Sequence, residues 1–425
     1  MASQRLQVKH FVLGATAVLI AAIIATSIVS AMLLREREID TWRRQLADLS
    51  LVLAEQTTQA MSSAQLVLDS IAERVEDMHV SNDTDLRLRA GSEALHEVLR
   101  DKITGLPQVD VASIVAANGD VINFSRAFPV PLINLAERDY FQARRSNPGL
   151  GVFVGVPVPN KANGKWVFYL SRRLNDAGGR FLGLVLVGIS VDQFTDFYQR
   201  LAANFGEGAA ITLYRRDFTV LTRWPQAEEA IGKQNLTGSS HLVVEEMKKT
   251  DDVIYTAAPR FSEAGLSVAR LGAVRVLQRF PMIVNLTVTE NFFLANWRHT
   301  VQWIAAIALG STTALIIIAF LLLRVASQRE RSARLLDSLA DQLPGLLFQY
   351  QMTPDGHSFF PYVNKAFRDV YRLKPRQTPI DESAIFAYQH PDDAARIRAS
   401  ILESARTLNA WHEEYRLLLP GKGLT

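Results

Sequence analysis

From Phe11 to Leu34 the chain runs 24 positions without a charged residue. As a helix rising about 1.5 Å per residue, such a run reaches about 36 Å, enough for a hydrocarbon core of about 30 Å with some tilt. The apolar region of a cleaved signal peptide is only about 7–15 residues long, so 11–34 reads as an uncleaved membrane anchor. A second apolar run covers Val301–Leu323, with Trp297 and Trp303 near one end, where amphipathic rings favour the headgroup level. Arg324, Arg329, Arg331 and Arg334 crowd the other end, which places that end in the cytoplasm. Arg5 and Lys9 agree with this orientation; Arg35, Arg37, Arg43 and Arg44 oppose it, though a long translocated segment weakens the rule. The pattern predicts 1–10 inside, 11–34 and 301–323 in the membrane, 35–300 outside, and 324–425 inside.

After the first run the spacing changes to threes and fours. Ile39, Trp42, Leu46, Leu49 and Leu53, then Ala60, Ala64, Val67, Ile71 and Val75, form one stripe with no helix breaker from Arg35 to about Met78. That stripe fits a stalk packed on its own domain and on a dimer partner, or a helix buried against its own sheet alone. Period-two segments follow. Two strands flank Asn118-Gly119, a hairpin signal, and another pair in "LGVFVGVPVPNKANGKWVFYLSRRL" turns at Asn163-Gly164. "RFLGLVLVGISVD" adds a third long strand, and "LINLAERDYFQARRSN" between the pairs is helical. A helix near 191–204 leads to a second set: "AAITLYRRDFTVLTRW", "DDVIYTAAPRF", "SVARLGAVRVLQRF" and "PMIVNLTVT". The last of these runs into the helix that becomes the second apolar span.

Composition adds exclusions. The 46 basic and 43 acidic residues leave a net charge of +3 with no basic block, so nucleic acid is not an expected partner. No cysteine occurs, which removes disulfides, thiolate metal sites and cysteine nucleophiles. The eight histidines are scattered without close metal-ligand spacing, so no metal site is expected. Neither a P-loop nor a catalytic Ser/His/Asp or carboxylate constellation stands out, and no catalytic residue is assigned.

The stretch "RDYFQARRSNPGLGVFVGVPV…GKWVFYLSRRLNDAGGRFLG", together with a membrane-emergent helix and two successive α+β modules, resembles the double Cache sensor domain of bacterial receptors. It is similar to the versions fused to diguanylate cyclases. The resemblance covers about 35–300, with a distal module at about 80–195 and a proximal one at about 205–290. It implies an α+β fold with two stacked Cache (PAS-like) modules on a long helix, and a small extracytoplasmic ligand held between the Arg-x-aromatic-aromatic helix and the sheet of the distal module. Carried over by position, Arg138, Tyr140 and Phe141 would line that pocket. Trp166, Phe168, Leu170 and Arg172 share one face of the following strand, and Tyr169, Ser171 and Arg173 the other; the periodicity does not choose between them. From this strand Trp166, Tyr169, Ser171 and Arg173 are taken as candidate ligand contacts. The alternative is that Arg138 pairs with an internal acid such as Asp176 and that the aromatics are core. The amino-acid-binding branch of the family carries an aspartate in its closing strand, where Gly188 stands here, so a carboxylate or another small anion is the expected ligand.

Past the second span, 324–343 is charged and helical with Leu336, Leu339 and Leu343 at heptad spacing, a signalling linker. From 344 on, strand, Pro-Asp-Gly turn, strand and helix, then "HPDDAARIRASILESARTLN" and "AWHEEYRLLLPGKG", resemble a PAS domain. In that family two further strands follow the turn reached at Gly421, so the resemblance implies an incomplete cytoplasmic PAS domain over 344–425 whose "WHEEYRLLLP" strand lacks its ladder partner. The photochemical flavin type needs a cysteine, and His390 before Pro391 fits a helix entry better than a haem ligand, so no cofactor is expected. The whole reads as a homodimeric two-pass receptor of a bacterial inner membrane. Its output domain lies outside these residues, a diguanylate cyclase before a histidine kinase; a chemotaxis receptor would need a long heptad-rich hairpin.

Overall fold

The structure, a computed structural model, describes residues 2–257, 267–353, 357–374, 379–419 and 423–424. Residues 24–308 form one compact unit, and 1–23 with 309–425 another. In chain order the first elements are helices α1 (Ala2–Glu76), α2 (Asp83–Ala90) and α3 (Glu93–Ile103), strands β1 (Val109–Ala116) and β2 (Val121–Phe124), α4 (Asp139–Ser146), and strands β3 (Val158–Pro159), β4 (Trp166–Asn175) and β5 (Phe181–Ser190). Helix α5 (Val191–Ala202) leads to β6 (Ala209–Arg215) and β7 (Val220–Trp224), then α6 (Ser239–His241), which continues as a π-helical turn through Leu242–Glu246. Strands β8 (Asp251–Thr256), β9 (Arg270–Val276) and β10 (Met282–Thr289) follow, then α7 (Glu290–Phe293) and α8 (Ala295–Gln342).

The larger unit holds two five-stranded antiparallel sheets, ordered β2-β1-β5-β4-β3 and β7-β6-β10-β9-β8. The same order twice means the same local fold built twice. Each sheet buries one face against long helices. Leu46, Leu53, Ala64, Ile71 and Val75 of the expected stripe on α1 are almost fully buried, joined by Met61 and Leu68, in one cluster with Ile114, Phe168 and Val185 of the first sheet and Leu213, Val284 and Leu286 of the second. A fully buried Leu or Ile contributes about 1.5–3 kcal/mol relative to exposure, so α1 is a spine for both sheets. Helix α5 joins them as well. Its N-cap Ser190 accepts from Gln193 N at 3.4 Å, Phe194 meets Phe168 at 6.2 Å between ring centroids, and Thr195 Oγ1 lies 2.9 Å from Thr222 Oγ1.

The opposite face of each sheet is covered by the segment that joins its second and third strands, 125–157 over the first and 225–250 over the second. The expected strand within 150–159 is mostly absent: only the Val154↔Leu170 bridge and the two residues of β3 pair. Pro157 and Pro159 have no N–H to give to a ladder, and Val156 N donates instead to Asp139 Oδ2 at 2.8 Å.

Two helical stretches, Lys9–Glu76 and Ala295–Arg329, are long and apolar enough to cross a membrane. They are tied where both meet the second sheet: Trp297 Nε1 donates to Ala31 O at 2.8 Å, Arg35 lies 3.6 Å from Glu290, and Trp42 packs on Phe205 and Phe292.

The smaller unit ends in a mixed region. It comprises β11 (Phe348–Met352), β12 (Ser358–Val363), α9 (Lys365–Val370), β13 (Ile380–Asp381), α10 (Ser383–Phe386), α11 (Pro391–Thr407), and the pair β14 (Leu418–Leu419) and β15 (Gly423–Leu424). Helix α11 starts as the sequence predicts, with His390 as N-cap and Pro391 in its first turn. The expected strand from Trp411 is a correction: 411–416 forms none, and the segment is held by the Gln389↔Leu417 bridge and by Arg416 N donating to Asp393 Oδ2 at 3.1 Å. With no ladder partner among the described residues, backbone groups there turn to side chains. An apolar cavity of about 460 Å³ lies beside it, lined by Phe348, Tyr350, Phe360, Tyr371, Trp411 and Tyr415. The predicted turns at 354–356 and 420–422 lie outside the described residues.

Candidate functional site

The first sheet's covered face carries a cavity of about 20 Å³, room for about one water. Val111 and Ser113 of β1 and Tyr169 of β4 form its floor. Its roof is the segment before α4, with Ile133, Leu135 and Arg138, and Tyr140 in the first turn; Asn160 and Lys161 close one side. Arg138 is the N-cap of α4 and makes no side-chain cap bond, so its guanidinium is directed elsewhere. Its Nε is buried without a hydrogen bond, 3.4 Å from Glu137 Oε1, and Nη2 reaches only Pro159 O at 3.5 Å.

Tyr140 is fully buried, its ring 5.0 Å from that of Tyr169, and its hydroxyl has no hydrogen-bond partner. Burial pushes the Tyr140 phenol far above its ordinary value and Tyr169 up to about 12, so both are neutral hydroxyls at physiological pH. A buried hydroxyl left unmade costs about 1–3 kcal/mol. The cavity therefore presents a cation and at least one unspent hydroxyl beside apolar walls of Val121, Phe124 and Leu135. Around its rim Lys161 Nζ reaches Glu137 Oε1 at 2.6 Å and Asn134 O at 2.7 Å, which pins the roof; the hydrogen bond from Lys161 holds Glu137 below the usual carboxylate range.

The seven residues taken from the sequence are not one cluster. Arg138, Tyr140 and Tyr169 meet at the cavity. Phe141 is fully buried one step behind it, edge-on to Phe181 at 5.6 Å. Trp166 is a correction: alternation along β4 sends it to the other face, beside Phe168 in the core shared with α1. Ser171 Oγ accepts from Arg144 Nε at 3.0 Å, and Arg173 Nη1 donates to the Arg145 carbonyl at 3.0 Å while its guanidinium sits 4.7 Å over Phe181. Both therefore brace the end of α4. Arg144 itself is buried, donates also to the Leu150 and Gly151 carbonyls, and is drawn down to about 10 by burial. Asp176, the alternative partner for Arg138, pairs instead with Arg180.

Sequence reasoning missed Ser113, Asn160 and Lys161, and also Asp110, which pairs with Arg126 and accepts from Asn160 Nδ2 at 3.2 Å. No short motif links them, because Asp110 and Asn160 are 50 positions apart. Gly188 sits opposite Val111 and Tyr169 in the ladder, and a Cβ there would come within 2.7 Å of Val111 Cγ1, 2.9 Å of Val167 Cγ1 and 3.0 Å of Tyr169 Cε1. An aspartate has no room at this position. Gly188→Ala is expected to lower stability by about 1–2 kcal/mol through overpacking, measured by thermal unfolding; an unchanged midpoint would show a looser sheet.

No protein-family model matches the chain, and no curated protein matches it. Solved structures do. The extracellular domain assigned to histidine kinase rpHK1S-Z16 aligns with a TM-score of 0.50 at 27% identity, covering 61% of this chain and 98% of that one. The periplasmic sensory domain of the Campylobacter jejuni chemoreceptor Tlp1 aligns at 0.48 and 10% identity, covering 60% and 98%. The ligand-binding domain of the Pseudomonas fluorescens chemoreceptor CtaA, solved with L-isoleucine, aligns at 0.43 and 13%, covering 61% and 98%. These structural neighbours are thus the extracellular domain of a histidine kinase and the sensory or ligand-binding domains of chemoreceptors.

Proposed function

We propose that the protein is a membrane-bound signal receptor of the double Cache kind, two-pass in a bacterial inner membrane. Its sensor (35–300) is outside, and a linker (324–343) and PAS-like region (344–425) are inside. The observation that carries this reading is the cavity in which Arg138 Nε and the Tyr140 hydroxyl are buried without hydrogen bonds. Such groups are normally satisfied in a folded protein, and their clustering marks a place where a ligand supplies the missing acceptor. A guanidinium and two neutral phenols suit a carboxylate, and the apolar wall suits a short hydrocarbon body. At about 20 Å³ the cavity has room for only about one water; a carboxylate with a hydrocarbon body needs the 125–138 roof to lift and the Lys161 contacts to break, which gives the sensor two arrangements for a ligand to choose between. Movement of the second sheet would pass into α8 without a loop, since β10 is followed directly by α7.

The receptor works as a homodimer and hands the signal to an output domain outside these 425 residues, a diguanylate cyclase in the first reading. The 27% identity to a domain assigned to a histidine kinase favours that output as the second reading. The test is titration of the full chain in detergent with acetate, propionate and lactate, followed by calorimetry and thermal shift. Saturable binding of one of them at millimolar concentration or below is expected; no heat and no shift with all three would sink the carboxylate assignment.

A further inference from the structure

We infer that the second sheet carries its own oxyanion site, separate from the cavity of the first. The repeated strand order places a covering segment over β6, β9 and β10 just as 125–157 covers β1, β4 and β5. Under that segment lies a cavity of about 30 Å³, room for two waters or the head of one small anion. Its character differs from the first: no apolar side chain of the usual core type lines it.

Arg270 at the start of β9 and Arg223 of β7 both line this cavity, and Arg270 is 5% exposed. Arg223 Nη1 donates to Thr212 Oγ1, itself in the lining, at 3.3 Å, and Arg270 Nη1 to the Val268 carbonyl at 3.2 Å, so a ligand would share donors that are already engaged. Asn285 in the middle of β10 is equally buried; its Nδ2 donates to Ser239 Oγ at 2.9 Å, and its other amide atom has no partner. The serine hydroxyl can serve as donor or acceptor, so the amide can turn and aim its N–H₂ inward. Either way one buried amide group of Asn285 waits on a ligand. Tyr214, also in the lining, accepts at Oη from Asn235 Nδ2 at 3.0 Å, so its own hydroxyl proton can be donated to a ligand. Asn235 is itself fixed in that sense because its Oδ1 accepts from Thr237 N at 3.3 Å.

Two guanidiniums, a phenol proton and a rotatable amide converging on a space of this size match a compact oxyanion with little or no hydrocarbon, either a carboxylate or a phosphate. The absence of an apolar wall excludes the larger carboxylate assigned to the first sheet. A ligand here would grip β7, β9 and β10 together, and β10 is the strand that leads into α8.

The test uses the full chain in detergent, with formate and inorganic phosphate as separate probes at constant ionic strength set by chloride. One of the two is expected to raise the unfolding temperature saturably, in the wild type and equally in Arg138→Ala. Arg270→Gln should weaken that response about tenfold or more, with partial recovery in Arg270→Lys. Asn285→Leu, close in shape and unable to hydrogen-bond, should weaken it as well; it carries the test alone if circular dichroism shows Arg270→Gln unfolded. Formate acting alone identifies a carboxylate site, and phosphate alone a phosphate site. The inference is overturned if neither probe shifts the wild type, if the shift survives in both Arg270→Gln and Asn285→Leu, or if it vanishes in Arg138→Ala. The last result would leave the first-sheet site standing as the sole anion site.

Discussion

Arg138→Ala is expected to weaken binding of the responding carboxylate about 100-fold while leaving the unfolding temperature nearly unchanged. The two halves of this expectation have different causes. In the structure Arg138 touches little: Glu137, half exposed, at 3.4 Å, and the Pro159 carbonyl at the limit of hydrogen bonding. A pair of that kind contributes at most about 1 kcal/mol to folding. With a carboxylate in the cavity the same guanidinium would make a charge-assisted bond away from water, and removing one partner of such a pair costs about 2–5 kcal/mol; about 3 kcal/mol is a factor of about 100. Tyr140→Phe sharpens the point because its two effects have opposite signs. Deleting an unpartnered buried hydroxyl should raise stability by up to about 1 kcal/mol, yet ligand affinity should fall. Isothermal titration and thermal unfolding of the same three proteins decide it. If Arg138→Ala unfolds the chain, the arginine is structural, and if affinity is unchanged in both variants the site is elsewhere.

Why the sequence showed some of this and not the rest follows from particular residues. Helix α1 was legible because its buried positions keep a spacing of three and four for over 30 residues with no breaker. The hairpin at Asn118-Gly119 was legible because Gly119 takes φ +95, which an NG turn signals directly. Strand β4 was ambiguous for a physical reason: both its faces are buried, one by α1 and one by α4, so Val167 and Tyr169 alternate with Phe168 and Leu170, apolar against apolar. Periodicity cannot choose a face when neither meets water, and Trp166 was misplaced on that account. The bracing roles of Arg144 and Arg173 depend on carbonyls brought together by folding, which no local pattern encodes. The second-sheet cavity was missed because its Arg223, Arg270 and Asn285 come from three separate strands and no family motif names them.

Arg215→Met is expected to lower stability by about 2–3 kcal/mol and to disconnect the two sheets while the carboxylate still binds. Arg215, the last residue of β6, donates Nη1 to Asp139 Oδ2 at 3.1 Å and to the Val154 carbonyl at 3.4 Å, and grips Asp217 through its other nitrogens. Asp139 is the residue between Arg138 and Tyr140, and its carboxylate also accepts from Val156 N. One cation of the second sheet thus holds the first turn of the helix that roofs the first-sheet cavity. Removing it strands two carboxylates together; a fully buried pair broken this way costs about 3–5 kcal/mol, and the 21–37% exposure of these side chains reduces that. The pH dependence has a definite sign. Burial alone would raise Asp217, but hydrogen bonds from Arg215 and Thr219 outweigh it and hold it at about 2. A depressed carboxylate contributes its stability above its unfolded value near 3.8 and loses it as pH falls toward 2. The gap between wild type and Arg215→Met should therefore be full at neutral pH and narrow below about pH 4. Function is read separately, by hydrogen exchange over Glu290–Trp297, where β10 becomes α8. Carboxylate binding should change exchange there in the wild type and leave it unchanged in Arg215→Met at saturating ligand. Equal changes in both proteins would mean that the signal crosses by α1 or α5 instead, the two helices whose buried faces already span both sheets.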